Sequence, residues 1–228
     1  MSLARAEKAS LISSGRTAPG LFKIQEDMLE ACRGASMQLG GPSLTMLGVT
    51  SSIRGEGRSV LALAMAYVHA WDYGRKVLLV DLDMERPSLA RLLEARPWPG
   101  LAEVVRGDIT IEKAVQPIGA GLSLLSSGAP TDTPVRIVAD IASSGLASFL
   151  GRDHEIVIAD LPPIAAAAQG RLAASLFPKL VLVVRAGVTP LSIVREASEN
   201  LGSEPAVLLN CETTSVPRWA RRLTGWNR

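Results

Sequence analysis

Glycines, hydroxyls and arginines crowd into one short stretch, Thr50-Ser51-Ser52-Ile53-Arg54-Gly55-Glu56-Gly57-Arg58-Ser59. Glycines let successive backbone N–H groups turn toward one point, and a helix opening behind them adds its partial positive charge. Such a turn suits a phosphate. Against the pattern G-x-x-x-x-G-K-[ST], Ser52 takes the first position, Gly57 the second glycine and Ser59 the hydroxyl. Arg58 stands in place of the lysine. The expected phosphate-binding residues are Gly55, Glu56, Gly57, Arg58, Ser59 and Val60. Arginine keeps the charge, but its planar fork is bulkier than a compact ammonium between two phosphates. Nucleotide binding is therefore expected to weaken and phosphoryl transfer to fall further.

A nucleoside triphosphate travels with Mg²⁺, which takes hydroxyl and carboxylate oxygens. Ser59 offers the hydroxyl, and three carboxylates, Asp81, Asp83 and Asp160, fall at or just after the ends of apolar runs. The expected metal set is Ser59, Asp81 and Asp160, with Asp160 suited to the principal role because Pro162-Pro163 follows it. Asp81, Asp83 and Arg58 form the expected catalytic set, the acids positioning a nucleophile or contacting metal-bound water. The competing reading is that acids at strand ends cap the helices that follow.

These residues need elements to bring them together. Residues 44–49 read as a strand and residues 60–71 as a helix, so the glycine turn joins strand to helix. Continuous apolar runs at 76–81, 121–126, 154–159, 179–184 and 205–210 are what strands covered on both faces look like. Helical stretches fall at 22–39, where Phe22, Met28, Leu29, Cys32 and Leu39 share a stripe, and at 111–115, 135–150 and 191–201. Strands alternating with helices predict a doubly wound, mostly parallel α/β sheet with its ligand at the carboxyl ends of the strands. The expected organisation is an arm over residues 1–20, one domain over 21–212 and a basic tail over 213–228.

Bulk properties fit one globular domain. Of the 228 residues 47% are hydrophobic and 20% charged, and the formal charge of +2 gives no argument for a nucleic-acid partner. No apolar run approaches a membrane span, and the two cysteines, Cys32 and Cys211, lack metal-ligand spacing. A reduced, cytoplasmic protein is expected.

Three segments carry a family resemblance. Val49-Thr-Ser-Ser-Ile-Arg-Gly-Glu-Gly-Arg-Ser59, Val77-Leu-Leu-Val-Asp-Leu-Asp-Met-Glu-Arg-Pro87 and Ile156-Val-Ile-Ala-Asp-Leu-Pro-Pro163 resemble the Walker A, A′ and B motifs of bacterial tyrosine kinases. These are the ATPase partners of capsule and exopolysaccharide chain-length proteins, within the wider fold of division-site-positioning (MinD/ParA-like) ATPases. Glu30-Ala-Cys-Arg33 is similar to the first half of that family's E-x-x-R-x-x-R oligomerisation helix. Gly100-Leu-Ala-Glu-Val-Val-Arg-Gly107, Ser127-Gly-Ala-Pro130 and Val183-Val-Arg-Ala-Gly-Val-Thr189 resemble its linking segments, and Leu208-Leu-Asn210 the segment whose asparagine reads adenine. The resemblance implies an ATP·Mg²⁺ site at a subunit interface and a homo-oligomer. It also implies a membrane-embedded polysaccharide co-polymerase as partner, at the inner face of the cell membrane.

The departures are specific. Arg58 replaces the lysine, Glu85 stands where the family carries an arginine (with Arg86 adjacent), and Ser36 replaces the second arginine of the oligomerisation helix. Gln169 or Gly170 stands where an acid usually follows Walker B. The C-terminal tyrosine cluster is missing, and the tyrosines present are Tyr67 and Tyr73. In its place residues 217–228 carry Trp219, Leu223 and Trp226 among Arg218, Arg221 and Arg222, which suits either a helix docked on the domain or a peripheral contact with an anionic membrane. Three readings follow: an exopolysaccharide ATPase of tyrosine-kinase type with weakened or lost transfer, a non-catalytic regulatory protein on the same fold, and a membrane-cycling positioning ATPase. Ile53, where the last group carries an extra lysine, counts against the third.

Overall fold

The structure is a computed structural model that describes residue 24, residues 26–145, residue 150 and residues 153–210. Its strands are β1 (Met46–Ser51), β2 (Val77–Asp81), β3 (Gln116–Gly119), β4 (Leu122–Leu125), β5 (Ile156–Asp160), β6 (Leu180–Arg185) and β7 (Ala206–Asn210). They form one sheet in the order β3-β4-β2-β5-β1-β6-β7. Every neighbouring pair is parallel except β3–β4, which is antiparallel. The doubly wound, mostly parallel α/β sheet expected from the sequence is the fold observed.

The central strands are apolar up to their C-terminal residues because both faces are covered. In β2, Val77 and Leu79 enter one core while Leu78 and Val80 enter the other; in β5, Ile156 and Ile158 part from Val157 and Ala159 in the same way. The first core is closed by helix α1 (Glu26–Leu39) and helix α2 (Arg58–Tyr67), which runs on into a π-helical turn at Val68–Asp72. The second lies under α4 (Leu101–Arg106), α6 (Pro134–Ser144), α7 (Gly170–Ser175) and α8 (Leu191–Glu199). Short helices α3 (Leu89–Leu92) and α5 (Ile111–Ala114) complete the α-helices of the described residues.

Sequence boundaries hold to within a few residues, with instructive exceptions. The edge strand β3 escapes a periodicity reading because Gln116-Pro-Ile-Gly119 is short and carries a proline, which the edge position tolerates. Helix α6 stops at Ser144 rather than running to 150, because Gly145 adopts φ +76° there. Phe22 of the first apolar stripe lies outside the described residues, whereas Met28, Leu29, Cys32 and Leu39 reach the core.

The topology fixes where chemistry gathers. Strand β5 lies between β1 and β2, with Val49 opposite Asp160 and Asp81 opposite Asp160. The turn after β1, the two acids at the end of β2 and the acid ending β5 therefore share one edge of the sheet.

Candidate phosphate-binding site

Strand β1 ends at Ser51 and α2 opens at Arg58, so residues 52–57 cross the mouth of the helix. Gly55 and Gly57 hold φ of +85° and +89°, the left-handed region that costs a side-chain-bearing residue strain. Gly57 has a second reason to lack a side chain: a Cβ there would collide with Asn210 Nδ2. That amide reaches the loop from the end of β7 and donates to the Glu56 carbonyl at 2.8 Å. The Glu56 carboxylate is buried and turned inward. It accepts the Ile53 N–H at 2.8 Å, the Arg185 N–H at 3.0 Å and the Thr189 hydroxyl. One acid thus bolts the loop to the end of β6. Pattern matching treats Glu56 as a spacer whose backbone faces phosphate; its side chain has a positioning role that only these long-range partners reveal.

Arg58 is tied to two acids. Its Nε donates to Asp160 Oδ1 at 2.7 Å and its Nη2 to Asp83 Oδ2 at 2.6 Å. The side chain is 11% exposed and its two partners are essentially buried. Burial opposes the Arg58 charge, but the two carboxylates outweigh it and raise its pKa. Asp160 is pushed up chiefly by burial, against the pull of Arg58 and the Ser59 hydroxyl. Its Oδ2 is a buried oxygen without a hydrogen-bond partner.

Asp81 is occupied differently. Its Oδ2 accepts the Ser88 and Leu89 N–H groups at 2.9 and 3.0 Å, and its Oδ1 accepts the Asp83 N–H at 3.2 Å. It caps the start of α3, as the competing sequence reading has it. Burial first and Asp160 second raise its pKa, and the Leu89 and Ser88 N–H groups oppose them.

A cleft of about 420 Å³ opens in front of the loop, with Ser59, Val60 and Asp83 in its wall. Four arginines line it: Arg54, Arg58, Arg86 and Arg91. Arg54 donates to Glu85 Oε2 at 2.6 Å and lies 3.8 Å from Asp83 Oδ2. Glu85, at the family's arginine position, therefore neutralises an arginine from the loop itself. Arg86 and Arg91 are exposed, and nothing in the spacing of Arg91 along the chain marks it for a site.

The donors present do not fit a divalent metal in this arrangement. Asp81 spends both oxygens on N–H groups, Asp83 gives one to Arg58 and the other to the Arg86 N–H at 3.1 Å, and Asp160 Oδ1 holds Arg58. Only the Ser59 hydroxyl and Asp160 Oδ2 remain, with a guanidinium on the same carboxylate. Among the described residues, no group of three or more His, Cys, Asp or Glu is arranged to hold a metal.

The other departures also acquire places. Ser36 is fully buried and meets His69 Nε2 at 2.8 Å, so it faces its own core rather than a neighbouring subunit. Arg33 is held by Glu26, Glu30 and Asp72 at 2.8–3.0 Å. Burial pushes the Cys32 thiol up to about 12, which makes it inert. Tyr67 is buried in α2 with its ring 4.8 Å from that of Trp71, whereas Trp98 is 64% exposed. Gln169 is buried, with neither amide atom in a hydrogen bond. Cys211 and residues 213–228 lie outside the described residues. None of the described helices is long and apolar enough to cross a membrane.

No family model matches the chain. It is 31% identical over 162 residues to tyrosine-protein kinase YwqD of Bacillus subtilis, a match covering 71% of this chain and 68% of that protein. It is 25% identical over 195 residues to the succinoglycan biosynthesis transport protein ExoP of Rhizobium meliloti, covering 84% of this chain and 24% of that one. The chain thus spans about two thirds of the first relative and about a quarter of the second. The kinase domain of the Escherichia coli tyrosine kinase ETK superposes with a TM-score of 0.73 at 22% identity, covering 83% of this chain and 78% of that one. The cell division ATPase MinD of Pyrococcus furiosus gives 0.59 at 20% identity, covering 79% and 78%. Cobyrinic acid a,c-diamide synthase of Mycobacterium smegmatis, solved with an ATP analog and magnesium, gives 0.58 at 18% identity, covering 81% and 83%.

Proposed function

The chain belongs to the bacterial tyrosine-protein kinase family, and from that premise we propose that it is a nucleotide-binding module of an exopolysaccharide or capsule synthesis and export system, with phosphoryl transfer weakened or lost. The observation that carries this reading is the seating of Arg58 on Asp160 and Asp83.

The phosphates of ATP would lie on the N–H groups of residues 55–60, at the positive end of α2, with Arg86 and Arg91 along the open side. Asn210, which holds the loop from the end of β7, takes the base-reading role in this proposal on the strength of the family resemblance. Transfer needs positive charge that moves onto the reacting phosphoryl oxygens and an acid free to take the nucleophile's proton. The Arg58 guanidinium is committed to Asp160 and Asp83, and Asp83, in the cleft wall, is in turn held by Arg58. Ser59 Oγ and Asp160 Oδ2, the two oxygens left over, are too few to hold Mg²⁺ in this arrangement. The partner in this reading is a membrane-embedded polysaccharide co-polymerase, met on the cytoplasmic side of the membrane, as befits relatives named for tyrosine kinase activity and succinoglycan transport.

Calorimetry with ATP and Mg²⁺, on the native protein and on Arg58→Lys, tests the proposal together with phosphotyrosine detection on the same samples. Binding by the native chain without a phosphotyrosine signal on it or on a co-polymerase is the expected result. Failure of both proteins to bind ATP sinks the nucleotide reading, and a strong phosphotyrosine signal from the native chain refutes the loss of transfer.

A further inference from the structure

We propose that Arg58 is the resident cation of this site, so that the chain binds nucleotide phosphates without a divalent metal. The inference rests on the nucleotide reading above and adds to it what neutralises the acids. A cation is needed here because Asp83 and Asp160 converge beneath the loop and would repel any phosphate laid on it. A guanidinium meets that need with its fork: Nε takes Asp160 at 2.7 Å while Nη2 takes Asp83 at 2.6 Å. One planar group thus bridges two carboxylates that arrive from β5 and from the end of β2, at separations of 102 and 25 residues along the chain.

The rest of the cleft is arranged consistently with a fixed internal cation. Asp81 is withdrawn into the cap of α3 by its three N–H donors. Glu85 pairs with Arg54 rather than facing the cleft unpaired. Phosphate oxygens entering the cleft would meet loop N–H groups, Arg86 and Arg91, with the acids behind them already covered. A lysine could not do this equally well, because its single ammonium has no planar fork to span both carboxylates. Arginine in the lysine position is then a change of cation rather than plain decay.

The test compares ATP binding in EDTA with binding in excess Mg²⁺, by calorimetry, for the native protein, Arg58→Lys and Arg58→Gln. The native protein is expected to bind with dissociation constants within about threefold of each other in the two buffers, and Arg58→Lys to lose about tenfold or more in EDTA. A parallel titration with Mn²⁺ alone is expected to give no saturable site in the native protein and to gain one in Arg58→Gln; thermal unfolding of each variant checks that it folds. Native binding that needs Mg²⁺, or saturable Mn²⁺ binding by the native chain, overturns the resident-cation inference while leaving the nucleotide reading intact. Absence of ATP binding in both buffers overturns both.

Discussion

Replacing Arg58 by methionine keeps most of the aliphatic stem and removes the charge. Asp83 and Asp160 would then lie against each other, almost unexposed, with no cation between them. Breaking a buried ion pair by deleting one partner costs about 3–5 kcal/mol. The acids can escape part of that by taking up a proton. Holding one ordinary carboxyl protonated costs about 1.4 kcal/mol per pH unit above its unfolded pKa, roughly 4 kcal/mol at pH 7 and 1.5 kcal/mol at pH 5. The deficit of Arg58→Met is therefore about 3–4 kcal/mol at pH 7 and about 1.5 kcal/mol at pH 5. The sign follows from the direction of the shifts. Asp160 is already raised in the folded protein, with Arg58 the largest influence holding it down. Without Arg58 it rises further, so the contribution is fully present below the unfolded carboxylate pKa and is lost as pH climbs through the raised folded value. Urea denaturation of both proteins from pH 5 to 7.5 measures the gap. In thermal unfolding a chain of this size should lose roughly 6–15 °C at pH 7 and less than half of that at pH 5. A deficit below about 1 kcal/mol that does not change with pH would refute the claim that Arg58 neutralises these acids.

Three further substitutions probe other parts of the site and core. Gly57→Ala must hold a side chain at φ +89° and push Asn210 off the Glu56 carbonyl; stability should fall by about 1–2 kcal/mol and ATP affinity about tenfold, read by calorimetry. Glu56→Ala frees two half-buried N–H groups and the Thr189 hydroxyl, for about 1–3 kcal/mol by urea denaturation, and hydrogen exchange of Ile53 and Arg185 should accelerate. A loop whose exchange stays unchanged would show that Glu56 does not anchor it. Ser36→Ala leaves His69 Nε2 without its partner, at about 1–3 kcal/mol. Burial first and Arg75 second lower the His69 pKa to about 4, so its ring resonances should stay flat between pH 5 and 8. Its contribution to stability should be lost as pH falls from about 6.5 toward 4, opposite in sign to the carboxylates.

The sheet, the glycine turn after β1 and the edge on which the acids gather are legible in the sequence alone. Burial of a strand on both faces demands an unbroken apolar run, and the runs ending at Asp81 and Asp160 are legible because that demand is local. Glycine at 55 and 57 is legible for the same reason, since positive φ is a property of single residues. Asp81 illustrates the limit: one residue supports both a metal role and a cap, and the choice rests on where the Ser88 and Leu89 N–H groups point. Ser36 looks like a lost interface arginine in sequence and is a buried partner of His69 in three dimensions. Glu56 reads as a spacer until β6 brings Arg185 and Thr189 to it across more than a hundred residues. Most of all, the identity of Arg58 states only that a cation is present. Its seat on Asp83 and Asp160 was decided by strand order, because β5 inserted between β1 and β2 is what carries those carboxylates under the loop. Hydrophobic patterning is written residue by residue along the chain, whereas the pairing of charges is settled by the sheet that packs them together.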